Sequence, residues 1–281
     1  MGNIVWLASY PKSGNTWLRA FLANLIANRA DPLPLNELPN YADDEALPDR
    51  FSELAGRPSS ELTIDEIAAL RPQVHTLIAQ RAQGTQLVKT HNMSGAFDSH
   101  PLHNWQVTAG AIYVVRNPLD VAVSMTHHFG LSIDEAIERL GDGNVATAND
   151  SLFVSQILGS WSQHVAGWVD LAERLGPRMV VLRYEDLLEK PVKSFAKAAK
   201  LMGISQDKVR IERAVRHAGF QSLATLEKRD GFIEAINEKS RFFRSGRSNQ
   251  WREAMNREQV ARVVRDHREQ MKRFRYLPAG Y

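Results

Sequence analysis

The sequence has no cysteine. That excludes a disulfide framework, cysteine–zinc sites, iron–sulfur clusters and a thiol nucleophile. Long hydrophobic runs are missing as well. The opening apolar stretch Ile4–Ala8 is far shorter than a membrane span and no basic segment precedes it, so neither a transmembrane helix nor a signal peptide is expected. The Met-Gly start hints at N-myristoylation, but that pattern asks for Ser or Thr at position 6, where Trp6 stands. An excess of one charge is lacking too. The 35 Lys and Arg face 32 Asp and Glu, a formal net charge of +3 over 281 residues. So small a surplus, with no basic stripe interleaved with aromatics, argues against a nucleic-acid partner. Internal repeats and low-complexity tracts are absent, and no His, Asp and Glu set has metal-ligand spacing, so no metal is expected. These absences leave a soluble, cytoplasmic protein whose positive charge acts locally. At this length the chain can bury a large core without a staple.

Short apolar runs rich in β-branched residues supply that core. Ile4–Ser9, Gln86–Lys89, Ala111–Val115 and Met179–Arg183 read as strands covered on both faces, as in a parallel sheet. Helical periodicity follows in Thr16–Asn28, which carries Trp17, Phe21, Leu22, Leu25 and Ile26 on one side. Pro118 suits the first helical position and opens Leu119–His128. Pro191–Met202, Asp207–Ala218 and Arg257–Phe274 are further amphipathic helices. Alternating strands and helices predict an α/β fold, a single P-loop-like domain over 1–281 with three layers and a central parallel sheet flanked by helices. Residues 31–60 are rich in proline and acid, and 129–150 end in a small, polar stretch. Both are expected as loops lining a substrate site.

The first strand runs into Tyr10-Pro11-Lys12-Ser13-Gly14-Asn15-Thr16-Trp17 and then a helix. Strand, tight loop and helix aim backbone N–H groups at an anion, and the helix dipole adds partial positive charge. Gly14 permits close approach, Ser13, Asn15 and Thr16 add polar donors, and Lys12 adds a point charge. A Walker A loop would need a Gly-Lys-Ser/Thr ending. Here Asn15 follows Gly14 and the lysine precedes it, so an ordinary nucleoside triphosphatase is not indicated. Lys89-Thr90-His91 ends the second apolar run, on the rim where open α/β sheets bind ligands. A neutral histidine there can take a proton near pH 7. Arg116 ends the third run just before a helix, placed for bidentate phosphate contact.

YPKSGNTW at 10–17 resembles the 5′-phosphosulfate loop of sulfotransferases that use 3′-phosphoadenosine 5′-phosphosulfate (PAPS). TQLVKTH at 85–91, YVVRNPLDVAVS at 113–124 and FFRSGRSNQW at 242–251 resemble three further segments of that family, in its order. The resemblance implies His91 as general base, with Lys12 and Lys89 assisting at the transferred group. It implies Lys12, Ser13, Gly14, Asn15, Thr16 and Trp17 around the 5′ end, and Arg116 and Ser124 on the 3′-phosphate. Tyr184, Phe220 and Trp17 would flank the adenine, and Phe243, Arg244, Ser245 and Gly246 would close over the nucleotide. The family pattern reads Arg-Lys-Gly where this chain has Arg244-Ser245-Gly246, so one clamp charge is missing and Arg247 is a possible replacement. A threonine usual two residues before the adenine-side aromatic is Ala218 here, and the usual Gly-Asp-Trp is Asn249-Gln250-Trp251.

The implied reaction is in-line sulfuryl transfer from PAPS to a hydroxyl or amine of a small-molecule acceptor, leaving the nucleotide product PAP and requiring no metal. Residues 31–60, 129–150 and 231–241 are expected to shape the acceptor pocket. Two alternatives stay open at this stage. One is a kinase-like nucleotide enzyme, which would need Mg²⁺ held by carboxylates such as Glu185 or Asp186. The other is a non-catalytic module that binds nucleotides. No membrane partner is expected, and a homodimer is left open. His127 and His128 are assigned to the acceptor pocket or the surface.

Overall fold

Apolar runs with branched side chains pack best where both faces are covered, and β1 (Ile4–Ser9) is buried along its whole length. The computed structural model describes residues 3–204, 207–235 and 241–281. β1 lies at the centre of a five-stranded sheet with β2 (Asp43–Asp44), β3 (Gln86–Thr90), β6 (Thr108–Val115) and β7 (Met179–Arg183), in the order β2–β3–β1–β6–β7. Every pairing in this sheet is parallel. A small antiparallel hairpin, β4 (Ala96–Phe97) with β5 (His100–Pro101), stands apart from it.

The period of two along β1 divides the core. Ile4, Trp6 and Ala8 enter one hydrophobic cluster with Val88, Tyr113 and Val115. Val5 and Leu7 enter the other with Leu87, Ile112 and Val114. The first cluster is roofed by α2 (Pro48–Ala55), α3 (Ile64–Arg81), α4 (Pro118–Phe129), α5 (Ile133–Gly141), α6 (Trp161–Leu175) and α12 (Arg257–Arg273), with α11 (Trp251–Ala254) at its margin. The second is roofed by α1 (Asn15–Ala27), α7 (Tyr184–Glu189), α8 (Pro191–Leu201), α9 (Lys208–His217) and α10 (Phe220–Asp230). The result is the expected three-layer α/β arrangement, and all four expected strands are present. Among the described residues no helix is long and apolar enough to cross a membrane.

Two expectations need correction. Residues 31–60 are not one loop. They hold a 3₁₀ turn over Leu35–Asn40, the short edge strand β2 and helix α2. Their prolines start structure rather than prevent it, since Pro48 occupies the first helical turn where its missing N–H costs nothing. Within 129–150, α5 forms behind a capping box in which Ser132 and Glu135 satisfy each other's backbone N–H. Helices α3 and α6 begin with the same device, Thr63 with Glu66 and Ser160 with Gln163.

Trp6 shows how tightly the sheet is tied to its roof. It is fully buried, its indole N–H donates to Thr108 Oγ1 at 2.9 Å, and its ring meets His75 and His103 edge-on. Truncation to alanine removes that packing and the bond to the threonine, so Trp6→Ala should cost about 3–5 kcal/mol in urea unfolding. A change below about 1 kcal/mol would contradict this account of the core.

Candidate active site

The loop after β1 takes a shape suited to an anion. Ser13 N–H donates to the Tyr10 carbonyl at 3.2 Å, and Lys12 and Gly14 both adopt left-handed backbone angles, φ 65° and 106°. A Cβ on Gly14 would fall 2.8 Å from the Tyr184 ring, so only glycine fits beneath that aromatic. Helix α1 then starts with no side-chain cap and no acid in its first turn. Its first N–H groups therefore remain available to a ligand. Ser13 Oγ and the Trp17 indole N–H are buried without a partner among the described residues. Buried polar groups rarely stay unpaired, and these two are open to a ligand's polar atoms. Thr16 Oγ1 accepts from Arg19 at 3.1 Å. Asn15 departs from expectation, because its amide turns back to donate to the Leu7 carbonyl at 2.8 Å and fastens helix to strand.

A second group of cations stands at the ends of β6 and the late loop. Arg116 is buried, donates to the Lys12 carbonyl at 3.0 Å and to the Arg247 carbonyl at 3.3 Å, and lies 4.3 Å over the Tyr184 ring. Its Nε has no partner among the described residues. Arg244 is pulled below the usual guanidinium range by burial and by the charges of Arg247 and Arg116. Arg247 reaches back to Ser245 Oγ at 3.1 Å. Gly246 has φ 59°, and a Cβ there would fall 2.4 Å from the Phe220 ring, so the late loop rests directly on that aromatic. Trp17 packs edge-on against Tyr184 and Phe195. Phe243 leans on Phe232, and Ser124 lies half-buried on α4.

His91 stands just beyond β3, the strand beside β1. Its Nδ1 lies 2.7 Å from the Ser9 carbonyl. A carbonyl only accepts, so Nδ1 carries the hydrogen and Nε2 keeps a free lone pair. Burial, then the Lys89 charge, holds the imidazole down to about 4, so it is neutral at pH 7. Its backbone is gripped from both sides. His91 N–H donates to Gln156 Oε1 at 2.8 Å, and His164 Nε2 donates to the His91 carbonyl at 3.1 Å. The flanking Thr90 and Asn92 side chains both donate to Glu45, a fully buried carboxylate that also pairs with Arg71 at 2.9 Å and His75 at 2.8 Å.

Lys89 does not stand free beside His91. Its ammonium is 2.7 Å from Asp44 on β2. Burial pushes the Asp44 carboxyl up, but the Lys89 charge and hydrogen bond outweigh it and hold Asp44 ionised. Lys12 lies 4.5 Å over the Phe242 ring, which His128 meets edge-on. Burial, Lys12 and Lys89 together lower His128 to about 4. Arg19 pairs with Glu234 at the cleft wall. Residues 236–240 of the expected pocket segment lie outside the described residues. Asp44, Glu45, Gln156 and Arg19 escaped the sequence reading, and the acidic run 43–45 was the only local signal for the first two.

A family profile for the sulfotransferase domain matches residues 3–275. The chain belongs to the sulfotransferase family. It is 26% identical to sulfotransferase 1B1 of Mus musculus over 231 residues, 79% of this chain and 65% of that one. It is 26% identical to the luciferin sulfotransferase of Photinus pyralis over 268 residues, 90% and 68%. The chain thus spans about two thirds of the length of these relatives. Among solved structures, a retinol dehydratase in complex with androsterone and inactive cofactor PAP superposes with a TM-score of 0.65 at 20% identity, covering 96% of this chain and 81% of that one. Mouse sulfotransferase SULT7A1 complexed with PAP gives 0.63 at 21%, covering 96% and 84%. At such identities the structural likeness is one of fold.

Lys12 makes a testable link between pH and anion binding. Burial, then Arg116 and Lys89, lowers its ammonium to about 7. A bound phosphate favours the charged form, so binding takes up a proton and weakens as pH rises through that value. Calorimetric titration with adenosine 3′,5′-bisphosphate (PAP) from about pH 7 to about pH 9 should show affinity falling by up to about tenfold per unit. Lys12→Met should flatten the profile. A flat profile in the unaltered chain would contradict the assignment.

Proposed function

We propose that this sulfotransferase-family chain transfers a sulfuryl group from PAPS to a hydroxyl or amine of a small-molecule acceptor. The observation that carries this reading is the meeting of Lys12, Arg116, Arg244 and Arg247 with unpartnered buried donors, one strand away from a neutral His91. That donor set suits a nucleotide phosphorylated at both ends: the loop after β1 at the 5′ side, and Arg116, Ser124, Arg244, Ser245, Gly246 and Arg247 at the 3′ side. Tyr184, Trp17, Phe220 and Phe243 would enclose the base. PAPS supplies the sulfuryl group and an anionic leaving phosphate.

The chain's own groups do the rest. His91 Nε2 receives the acceptor proton, while Nδ1–H on the Ser9 carbonyl keeps the ring in that tautomer. Lys12 and the N–H groups of Ser13–Thr16 stabilise negative charge growing on the leaving phosphate. Lys89, held by Asp44, adds positive charge beside the sulfuryl oxygens. An imidazole near 4 is a weak base; Lys89 supplies part of that depression, and an anion beside Lys89 would relieve that part, while burial, the larger cause, remains. Phe129, Phe153 and Leu152 remain exposed, and Phe153 lies 5.6 Å from the Lys89 ammonium, which favours an acceptor with an apolar body. The kinase-like alternative loses its carboxylates. Glu185 accepts from Asn117 N–H and the Tyr276 hydroxyl, and Asp186 pairs with Arg183.

His91→Ala should lower turnover by about 10²-fold or more. PAP affinity in the same variant should stay within about twofold. Mass spectrometry of a phenol, alcohol and amine panel incubated with PAPS reads the first, and calorimetry the second. Retained turnover would refute His91 as base, and a parallel loss of PAP binding would show it to be structural.

A further inference from the structure

The late loop that carries Arg244, Ser245, Gly246 and Arg247 is suspended between two carboxylates, neither of which belongs to the cation cluster. At its start, Phe242 and Phe243 N–H donate to the two oxygens of Glu227, at 2.5 and 3.0 Å. At its end, Asn249 and Trp251 N–H donate to the two oxygens of Asp120, at 2.7 and 3.2 Å. Glu227 stands on α10, whose first residue is the Phe220 that receives Gly246. Asp120 stands on α4, one turn after Arg116, and is buried. Asn249 is held at φ 63°, a left-handed angle that asparagine tolerates better than most residues.

We propose that Asp120 and Glu227 are positioning residues that set the 3′-phosphate clamp, an inference that rests on the nucleotide reading above. The physical need is plain. Arg116, Arg244 and Arg247 repel one another before an anion arrives, as the lowered Arg244 shows. A loop carrying two of those charges would swing outward unless its backbone were fixed. Charge-assisted bonds from four backbone N–H groups fix it without engaging the arginine side chains. Asp120 also ties the loop to the helix that carries Ser124, so the two halves of the clamp move as one. A helix-dipole role alone would explain neither the pairing of both oxygens nor the matching arrangement at Glu227.

The test compares PAP with adenosine 5′-monophosphate, which lacks the 3′-phosphate. In the unaltered chain PAP should bind far more tightly, and equal affinities would overturn the nucleotide reading itself. Asp120→Asn and Glu227→Gln each replace an accepting oxygen with a donor facing an N–H. Each variant should lose about tenfold or more in PAP affinity by calorimetry. Affinity for the monophosphate should change by less than about twofold in both, with the melting temperature close to that of the unaltered chain. Unchanged PAP affinity, or equal losses for both nucleotides, overturns the inference. If the buried Asp120→Asn fails to fold, the half-buried Glu227→Gln carries the same comparison.

Discussion

Crowded positive charge governs the rim of this sheet. Four cations from three separate chain segments reach one place, and the burial of Arg116 makes repulsion around it costly. Lys12 responds by giving up part of its hold on a proton, and Arg244 shifts the same way. The rest of the architecture holds these groups together against that repulsion. Gly14 tucks under Tyr184, Arg116 bonds to two loop carbonyls, and Gly246 settles onto Phe220. An arrangement so poised gains most when a multiply charged anion enters, and that gain supplies the affinity and the electrostatics of transfer.

His91 depends on a different constraint. It stands beyond the end of β3, where the chain leaves the sheet and would otherwise be loose. Glu45 removes that freedom by accepting from Thr90 and Asn92 on either side of it, while Arg71 neutralises the carboxylate and His75 hydrogen-bonds to it. Asn92 in turn accepts from Ile157 N–H and Trp168 N–H, so the turn is fastened to the α6 side of the core. A buried charge of this kind is seldom favourable in itself, and its value lies in specifying one geometry.

The sheet was legible because its strands announce themselves. Runs such as Ile4–Ser9 and Met179–Arg183 have the same limits in sequence and structure, since continuous branched apolar character has few other uses. The strand–loop–helix turn after β1 was legible because its spacing is local. What stayed hidden depends on distant pairing. Nothing near Asp44 in sequence says that it meets Lys89 across 45 residues. Nor does Asp120 announce that it holds N–H groups about 130 residues later. The Asn15 side chain is another such case: its amide bridges loop and strand, a role that its place in the loop does not announce.

The most direct test follows both possible chemistries in one experiment. The protein is mixed with PAPS and an acceptor panel in the presence of a metal chelator, and separately with ATP and Mg²⁺ and the same panel. PAP release and sulfated product are read by chromatography and mass spectrometry. The account predicts acceptor-dependent PAP release matched one-to-one by sulfated product with the metal chelated, and no phosphorylated product from ATP. Phosphoryl transfer from ATP, with PAPS left intact, would contradict it.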